Sequence, residues 1–274
     1  MPELSELVPM LALILVIGGF AGVIAGLLGV GGGIVLVPAF YFAFEGLGYG
    51  PEGLMQICLA TSLATIAVTS LRSLLAHNRK GAVDWEILKG WAPGIGIGAA
   101  LGVVAASGLR GEVLMVIFAV LGLVVGLYLA FGRPGWRLGD AMPTGLGRAV
   151  TGPVLGFLSV LMGIGGGSFG VPLMSLYGVA IHRAVATAAG FGLVIAVPSV
   201  IGFLLVPGST ENRPPFTLGQ VNLVGFGVVV AMTLITTPWG VKLAHGTDPV
   251  RLKRLFAVFI ILMALNMARK ALTG

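Results

Sequence analysis

The chain has 274 residues, of which 57% are hydrophobic and 9% charged, and a formal net charge of +6. A soluble domain carries about 25% charged residues, so this composition excludes a surface covered by water and implies a polytopic membrane protein. The basic residues fall in short loops between apolar runs, a distribution that fits membrane topology signals and speaks against a nucleic-acid-binding face.

In chain order, the opening Met1-Pro2-Glu3-Leu4-Ser5-Glu6 is acidic. It lacks the positive start of a signal peptide, so the first apolar run is expected to be retained. Apolar helical segments are predicted over 7–28, 34–46, 54–77, 87–107 and 112–132. A polar stretch with helix breakers follows, Arg133-Pro134-Gly135-Trp136-Arg137, then Asp140, Pro143 and Gly145, and reads as a connector. Further segments are predicted over 148–163, 168–181, 184–206, 218–244 and 251–271. Short alternating segments of a β-barrel are missing. Cys58 is the single cysteine and reads as a small buried apolar residue.

A glycine cluster occurs twice. Leu28-Gly29-Val30-Gly31-Gly32-Gly33 precedes Pro38, and Met162-Gly163-Ile164-Gly165-Gly166-Gly167 precedes Pro172, at a constant offset of 134 residues. Ala60-Thr61 matches Ala186-Thr187 at 126, and Gly102 and Phe118 match Gly240 and Phe256 at 138. Such self-similarity indicates two related halves. Five segments per half would invert the second copy relative to the first. The fold expected is therefore all-α, a polytopic transmembrane helix bundle of two inverted repeats with about 8–10 membrane segments. Each repeat carries a Gly-rich broken or re-entrant helix. The halves span 1–133 and 148–274, joined by a cytoplasmic connector at 134–147. The basic loops around His77-Asn78-Arg79-Lys80, the connector, His182-Arg183 and Lys242 to Arg254 are expected on the cytoplasmic side of the cell (inner) membrane. The tail Arg269-Lys270 then falls outside, against that rule.

Three adjacent glycines break a helix. Broken backbone at membrane depth is tolerated only where protein buries it or where it lines a cavity. The helix that restarts at each break has free N–H groups and the positive end of its dipole there. The candidate anion-binding residues are accordingly Gly31, Gly32, Gly33 and Ile34 in the first half, and Gly165, Gly166, Gly167 and Ser168 in the second. The third segment adds a polar stripe, Cys58, Thr61 or Ser62, Thr65, Thr69 and Arg72, and Thr187 repeats Thr61. Thr61, Ser62, Thr65, Arg72 and Thr187 are candidates, although hydroxyls in membrane helices often bond only their own or a neighbouring backbone. Arg72 is either an anion attractor or an interfacial anchor. Gly18-x-x-x-Gly22-x-x-x-Gly26 and Gly94-x-x-x-Gly98-x-x-x-Gly102 read as helix-packing motifs. Gln220, Asn222, His77 and His182 read as solvated, and Trp85, Trp91, Trp136 and Trp239 as an aromatic belt. No phosphate loop, zinc-protease motif, nucleophile elbow or intramembrane carboxylate pair is present, which speaks against an enzyme and assigns no cofactor or metal.

The doubled glycine phrase with its prolines, together with Ala60-Thr61-Ser62 and Ala186-Thr187, resembles the TauE/SafE family of sulfite-exporter-like permeases over nearly the whole chain. The resemblance implies a plasma-membrane transporter of anionic sulfur compounds such as sulfite, sulfoacetate or other organosulfonates. The expected partners are a small anionic substrate and the lipid bilayer, with a homo-oligomer left open and no nucleic acid. The alternatives are a permease or channel for another small solute, such as a carboxylate or thiosulfate, and a membrane assembly component that transports nothing.

Overall fold

The computed structural model describes residues 4–28, 33–50, 52–132, 136–206, 213–245 and 249–273. Ten helices are described: α1 (Leu4–Leu28), α2 (Gly33–Gly46), α3 (Leu54–Arg79), α4 (Trp85–Gly108), α5 (Gly111–Phe131), α6 (Gly145–Leu161), α7 (Gly167–Leu176), α8 (Ile181–Leu205), α9 (Leu223–His245) and α10 (Pro249–Thr273). Six of them, α3, α4, α5, α8, α9 and α10, contain stretches long and apolar enough to cross a membrane. The all-α bundle expected from sequence is thus the fold, with a difference before α9. There Thr217–Leu218 and Val221–Asn222 form a two-residue antiparallel strand pair where the sequence suggested that the ninth helix had begun. Phe216 and Gly219, at φ 59° and 56°, make the turn that keeps this stretch out of the helix. The seventh helix is also shorter than expected, because the chain turns at Gly178, φ 80°, soon after Leu176.

The packing follows a crossed pattern. α1 lies along α9, α6 along α4, α5 along α10 and α3 along α8, while the short α2 and α7 lie on α3 and α8 respectively. Close approach is made by small residues. A Cβ on Gly98 would run into the Pro153 carbonyl, and one on Gly156 into that of Ile95, so α4 and α6 touch backbone to backbone. Gly18 and Gly22 do the same work against Met232, Thr233 and Thr236 of α9. The glycine stripes are therefore packing seams, as read from spacing; the surroundings of Gly26 lie outside the described residues.

Two hydrogen-bond sets fix the direction of α3 and α8. The Asp84 N–H, at the start of α4, donates to Thr187 Oγ1 near the start of α8 at 2.9 Å. The Asn222 N–H, at the start of α9, donates to Thr61 Oγ1 near the start of α3 at 3.0 Å. Because α4 starts where α3 has ended, and α9 where α8 has ended, α3 and α8 run antiparallel. Both donors also cap their helices. Asp84 Oδ1 accepts from the Ile87 N–H at 3.1 Å and Asn222 Oδ1 from the Gly225 N–H at 2.7 Å.

The ends of the bundle can then be assigned residues. At one end the Leu138 N–H donates to the Leu176 carbonyl at 2.8 Å, so α7 finishes beside the chain that leads into α6. Arg183 pairs with Asp84 there at 3.0 Å. At the other end Gln56 Nε2 donates to the Leu109 carbonyl at 2.8 Å, the Gln220 N–H to Phe203 at 3.0 Å, and Lys270 pairs with Glu45 at 2.5 Å. The partner at Glu45 gives a local reason for a lysine at an end that charge distribution alone did not favour.

Candidate functional site

The second glycine break separates α6 from α7. Gly163 sits at φ 62°, and its carbonyl accepts from Ser62 Oγ of α3 at 2.7 Å. The Ile164 N–H returns to the Ser159 carbonyl at 2.9 Å, which closes α6. The first main-chain bond of α7 runs from the Gly170 N–H to the Gly166 carbonyl at 2.7 Å. The amides of Gly166, Gly167, Ser168 and Phe169 therefore precede the helical ladder and have no partner within it. This end of α7 also carries about half a positive charge from the helix dipole.

A cleft opens at this point. From α3 it is lined by Ile66, Thr69, Ser70 and Ser73, from the break by Gly165, Gly166 and Gly167, and from α8 by Val185, Ala188 and Ala189. Its free volume is about 30 Å³, room for one or two water molecules. Ser70 is 8% exposed, and its hydroxyl has no hydrogen-bond partner among the described residues. Thr69, by contrast, bonds back to the Thr65 carbonyl at 3.0 Å. A Cβ on Gly165 would meet Ile66 at 3.0 Å and Ser70 Oγ at 4.0 Å, so Gly165 faces the cleft. A Cβ on Gly192 would land on Ser70 Oγ with the Gly166 amide nitrogen 3.4 Å away. Gly192 thus keeps open the space that holds a free hydroxyl beside a free amide.

The sequence-derived candidates divide sharply. Gly165, Gly166 and Gly167 line this cleft. Gly166 has a second duty, since a Cβ there would meet the Ala188 carbonyl at 2.6 Å and the Gly192 nitrogen at 2.7 Å. It seats α7 on α8, so alanine at Gly166 tests packing before it tests ligand binding. Ser168 faces elsewhere, into an apolar groove of about 530 Å³ shared with residues such as Tyr128, Val154 and Pro172. Thr61 and Thr187 are fully buried and accept the Asn222 and Asp84 amides. Ser62 holds the break through the Gly163 carbonyl, and Thr65 bonds back to the Thr61 carbonyl at 3.0 Å. These four hydroxyl residues bond protein backbone, because each sits where α3 or α8 is closed over by a neighbouring element.

In the first half, Gly33 is buried against the second break. A Cβ there would meet Ile66 at 2.7 Å and the Ile164 Cα at 3.1 Å. The start of α2 therefore touches the second break, but neither Gly33 nor Ile34, 3% exposed in the apolar core, lines the cleft. Gly31 and Gly32 lie outside the described residues. Arg72 is on the exposed face of α3 between Leu71 and Leu75, away from the cleft, with no hydrogen-bond partner among the described residues. Arg72 follows the cleft-lining Thr69 by one turn of α3 but is not itself among the residues that line the cleft.

Sequence reasoning passed over Ser70, Ser73 and Asn222. The α3 spacing Ser62, Ile66, Ser70, Ser73 was a detectable signal, since steps of three and four share a face. Asn222 was read as solvated, whereas it is fully buried and also donates to the Pro215 carbonyl at 2.8 Å and Thr217 Oγ1 at 3.0 Å. Trp91 likewise is 2% exposed and packs against Phe191, while Trp85, Trp136 and Trp239 are exposed as a belt requires.

A family model described as "Sulfite exporter TauE/SafE" matches residues 14–267. Among curated proteins, a probable membrane transporter protein of Haemophilus influenzae is 28% identical over 94% of this chain and 98% of the relative. One of Methanocaldococcus jannaschii is 24% identical over 96% and 97% respectively. The Bacillus subtilis probable membrane transporter protein YunE is 30% identical over 60% of this chain and 67% of its own length. No solved structure matches the chain.

Proposed function

The chain belongs to the sulfite exporter TauE/SafE family, and from that membership and the cleft at α7 we propose that it carries small sulfur oxyanions of sulfite size across the cell membrane. The observation that carries the reading is the free Ser70 hydroxyl buried next to the unpaired amides at the start of α7. Anions bind at such helix ends without a lysine or arginine, and broken helices from related halves place them at the midplane of transporters. The free volume of about 30 Å³ favours a compact anion over a longer one such as sulfoacetate. The reading is of transport and not of catalysis.

In this proposal the two halves are inverted repeats. The antiparallel α3 and α8, the crossed helix pairs and the matched Asp84–Thr187 and Asn222–Thr61 bonds support it. Helices α6 and α7 form a re-entrant hairpin that enters and leaves at one membrane face, and with the α1–α2 pair at the matching place also set aside, six crossing helices are left, α3, α4, α5, α8, α9 and α10. Basic residues His77, Arg79, Lys80, Arg137, Arg148 and Arg183 gather at the face where that hairpin opens, and by the positive-inside rule it is cytoplasmic, connector included.

Uptake of labelled sulfite into liposomes holding the purified protein tests the function. Saturable uptake that falls about tenfold in Ser70→Ala, with the protein still folded, is the expected result. Sulfite uptake no faster than in empty liposomes would overturn it, and uptake of acetate in place of sulfite would move the substrate to carboxylates.

A further inference from the structure

We infer that the α7 cleft accepts its anion in the singly charged form and rejects the doubly charged form of the same shape. The inference rests on the reading of this cleft as the anion site and concerns what charge that site can hold. Its lining offers neutral donors only: the amides of Gly166 and Gly167, the Ser70 hydroxyl and the Ser73 hydroxyl, which also has no partner among the described residues. No cation is among the residues that line it. The helix dipole supplies about half a unit of positive charge. That end suits one negative charge. A second charge is left to a lining of isoleucine, valine, alanine and glycine, where an uncompensated ion is strongly disfavoured.

The charged groups on the surrounding elements do not change this balance. On α3, Arg72 is on the exposed face, and His77 and Arg79 lie in its last turn beyond Ser73. On α8, Arg183 is tied to Asp84 of the α4 start, a pair with no net charge, and His182 beside it is exposed. α7 has no titratable residue. A protonated oxyanion also matches the hydrogen-bonding groups. Its charged oxygen takes the amides and Ser70, and its O–H donates to the Ser73 hydroxyl, which can accept as well as donate.

Methanesulfonate and sulfate make the test, because they share a tetrahedral shape and carry one and two fixed charges near neutral pH. The readout is the shift in melting temperature of the purified full chain, and the competition of each anion with labelled sulfite in liposomes. Methanesulfonate is expected to stabilise and compete at least about tenfold better than sulfate. Its effect should not vary with pH, while sulfite should weaken about tenfold per pH unit once it has lost its last proton. Ser70→Ala should weaken methanesulfonate by about tenfold. Equal competition by sulfate, lost in Ser70→Ala, would overturn the charge inference and leave the site standing. Competition by methanesulfonate that Ser70→Ala and Gly165→Ala both leave unchanged would place the anion elsewhere and overturn the two together.

Discussion

The stretch of α3 that lines the cleft at the start of α7 and the stretch of α8 that lies 126 residues further along the chain have opposite characters. Beside α7, α3 presents Thr69, Ser70 and Ser73 around open space. At an offset of 126 residues, α8 presents Ile195, Ala196 and Ser199, each with no exposed surface. The Ser199 hydroxyl is spent on its own Ile195 carbonyl at 2.7 Å, where Ser73 is free. The helix seams differ in the same way. Glycines stand on both sides of the α4–α6 contact, at Gly94, Gly98, Gly152 and Gly156, whereas in the described part of α1–α9 Met232 and Thr236 answer Gly18 and Gly22. A handful of side chains decide that the α3 stretch is polar and open while the α8 stretch is packed.

Substitutions can break this contrast, and the seams should respond most. Gly98→Ala drives a methyl group into the Pro153 backbone and is expected to cost about 3 kcal/mol. Gly18→Ala, whose nearest obstacle is the Met232 side chain at 3.0 Å, should cost about 1 kcal/mol. Thermal unfolding of the two variants in the same detergent measures the difference, and equal losses would mean that the seams are equally tight. Next come the two caps. Asn222→Ala strips a fully buried side chain of its bonds to Gly225, Pro215 and Thr217 and should cost about 2 kcal/mol. Asp84→Ala removes a cap and a partly exposed ion pair, for about 1 kcal/mol.

The third contrast is functional. Ser70→Ala should lower anion transport about tenfold with little change in melting temperature, whereas Ser199→Ala should leave transport as it is. Installing Ala196→Ser sharpens the comparison, because a hydroxyl alone should not create a second site at a residue with no exposed surface among the described residues. The smallest effect belongs to Arg72→Gln, for which transport per folded molecule should stay at the wild-type rate, measured by liposome uptake normalised to inserted protein. A loss there would return the arginine to the anion's path.

Much of this architecture could be read from residues. Apolar runs between basic loops gave all ten helices, because a bilayer demands long unbroken stretches and leaves turns to Gly, Pro and charge. The second glycine cluster marked the break between α6 and α7 for the same reason, while most of the first cluster lies outside the described residues. The cleft was legible only by half. Gly165 to Gly167 are visible as a motif, but which hydroxyls stay free depends on what closes over each one. Thr61 and Thr187 look like ligands in sequence and are acceptors for backbone amides brought from the far half. Ser70 follows Thr69 in the chain, outside the polar stripe of α3, and differs in having Gly192 opposite, a neighbour 122 residues away. Arg72 shows the same limit, because a charge in an apolar run does not say which face of α3 it takes, and it is exposed outside the cleft lining.

The crossed bonds from Asp84 to Thr187 and from Asn222 to Thr61 also bear on how the chain is made. A membrane protein emerges from its N-terminus, and its first half is complete before the second exists. At that moment Thr61 has no amide to receive, and Asp84 has no hydroxyl to reach, for each waits on an element synthesised later. Helices α1, α4 and α5 likewise wait for α9, α6 and α10. Until then the first half lacks these contacts, and α8 and α9 supply one at each end of the molecule. Two fragments divided in the connector and made together in one cell would carry both partners of each pair, while the N-terminal fragment made alone lacks the α9, α6 and α10 that lie along its α1, α4 and α5.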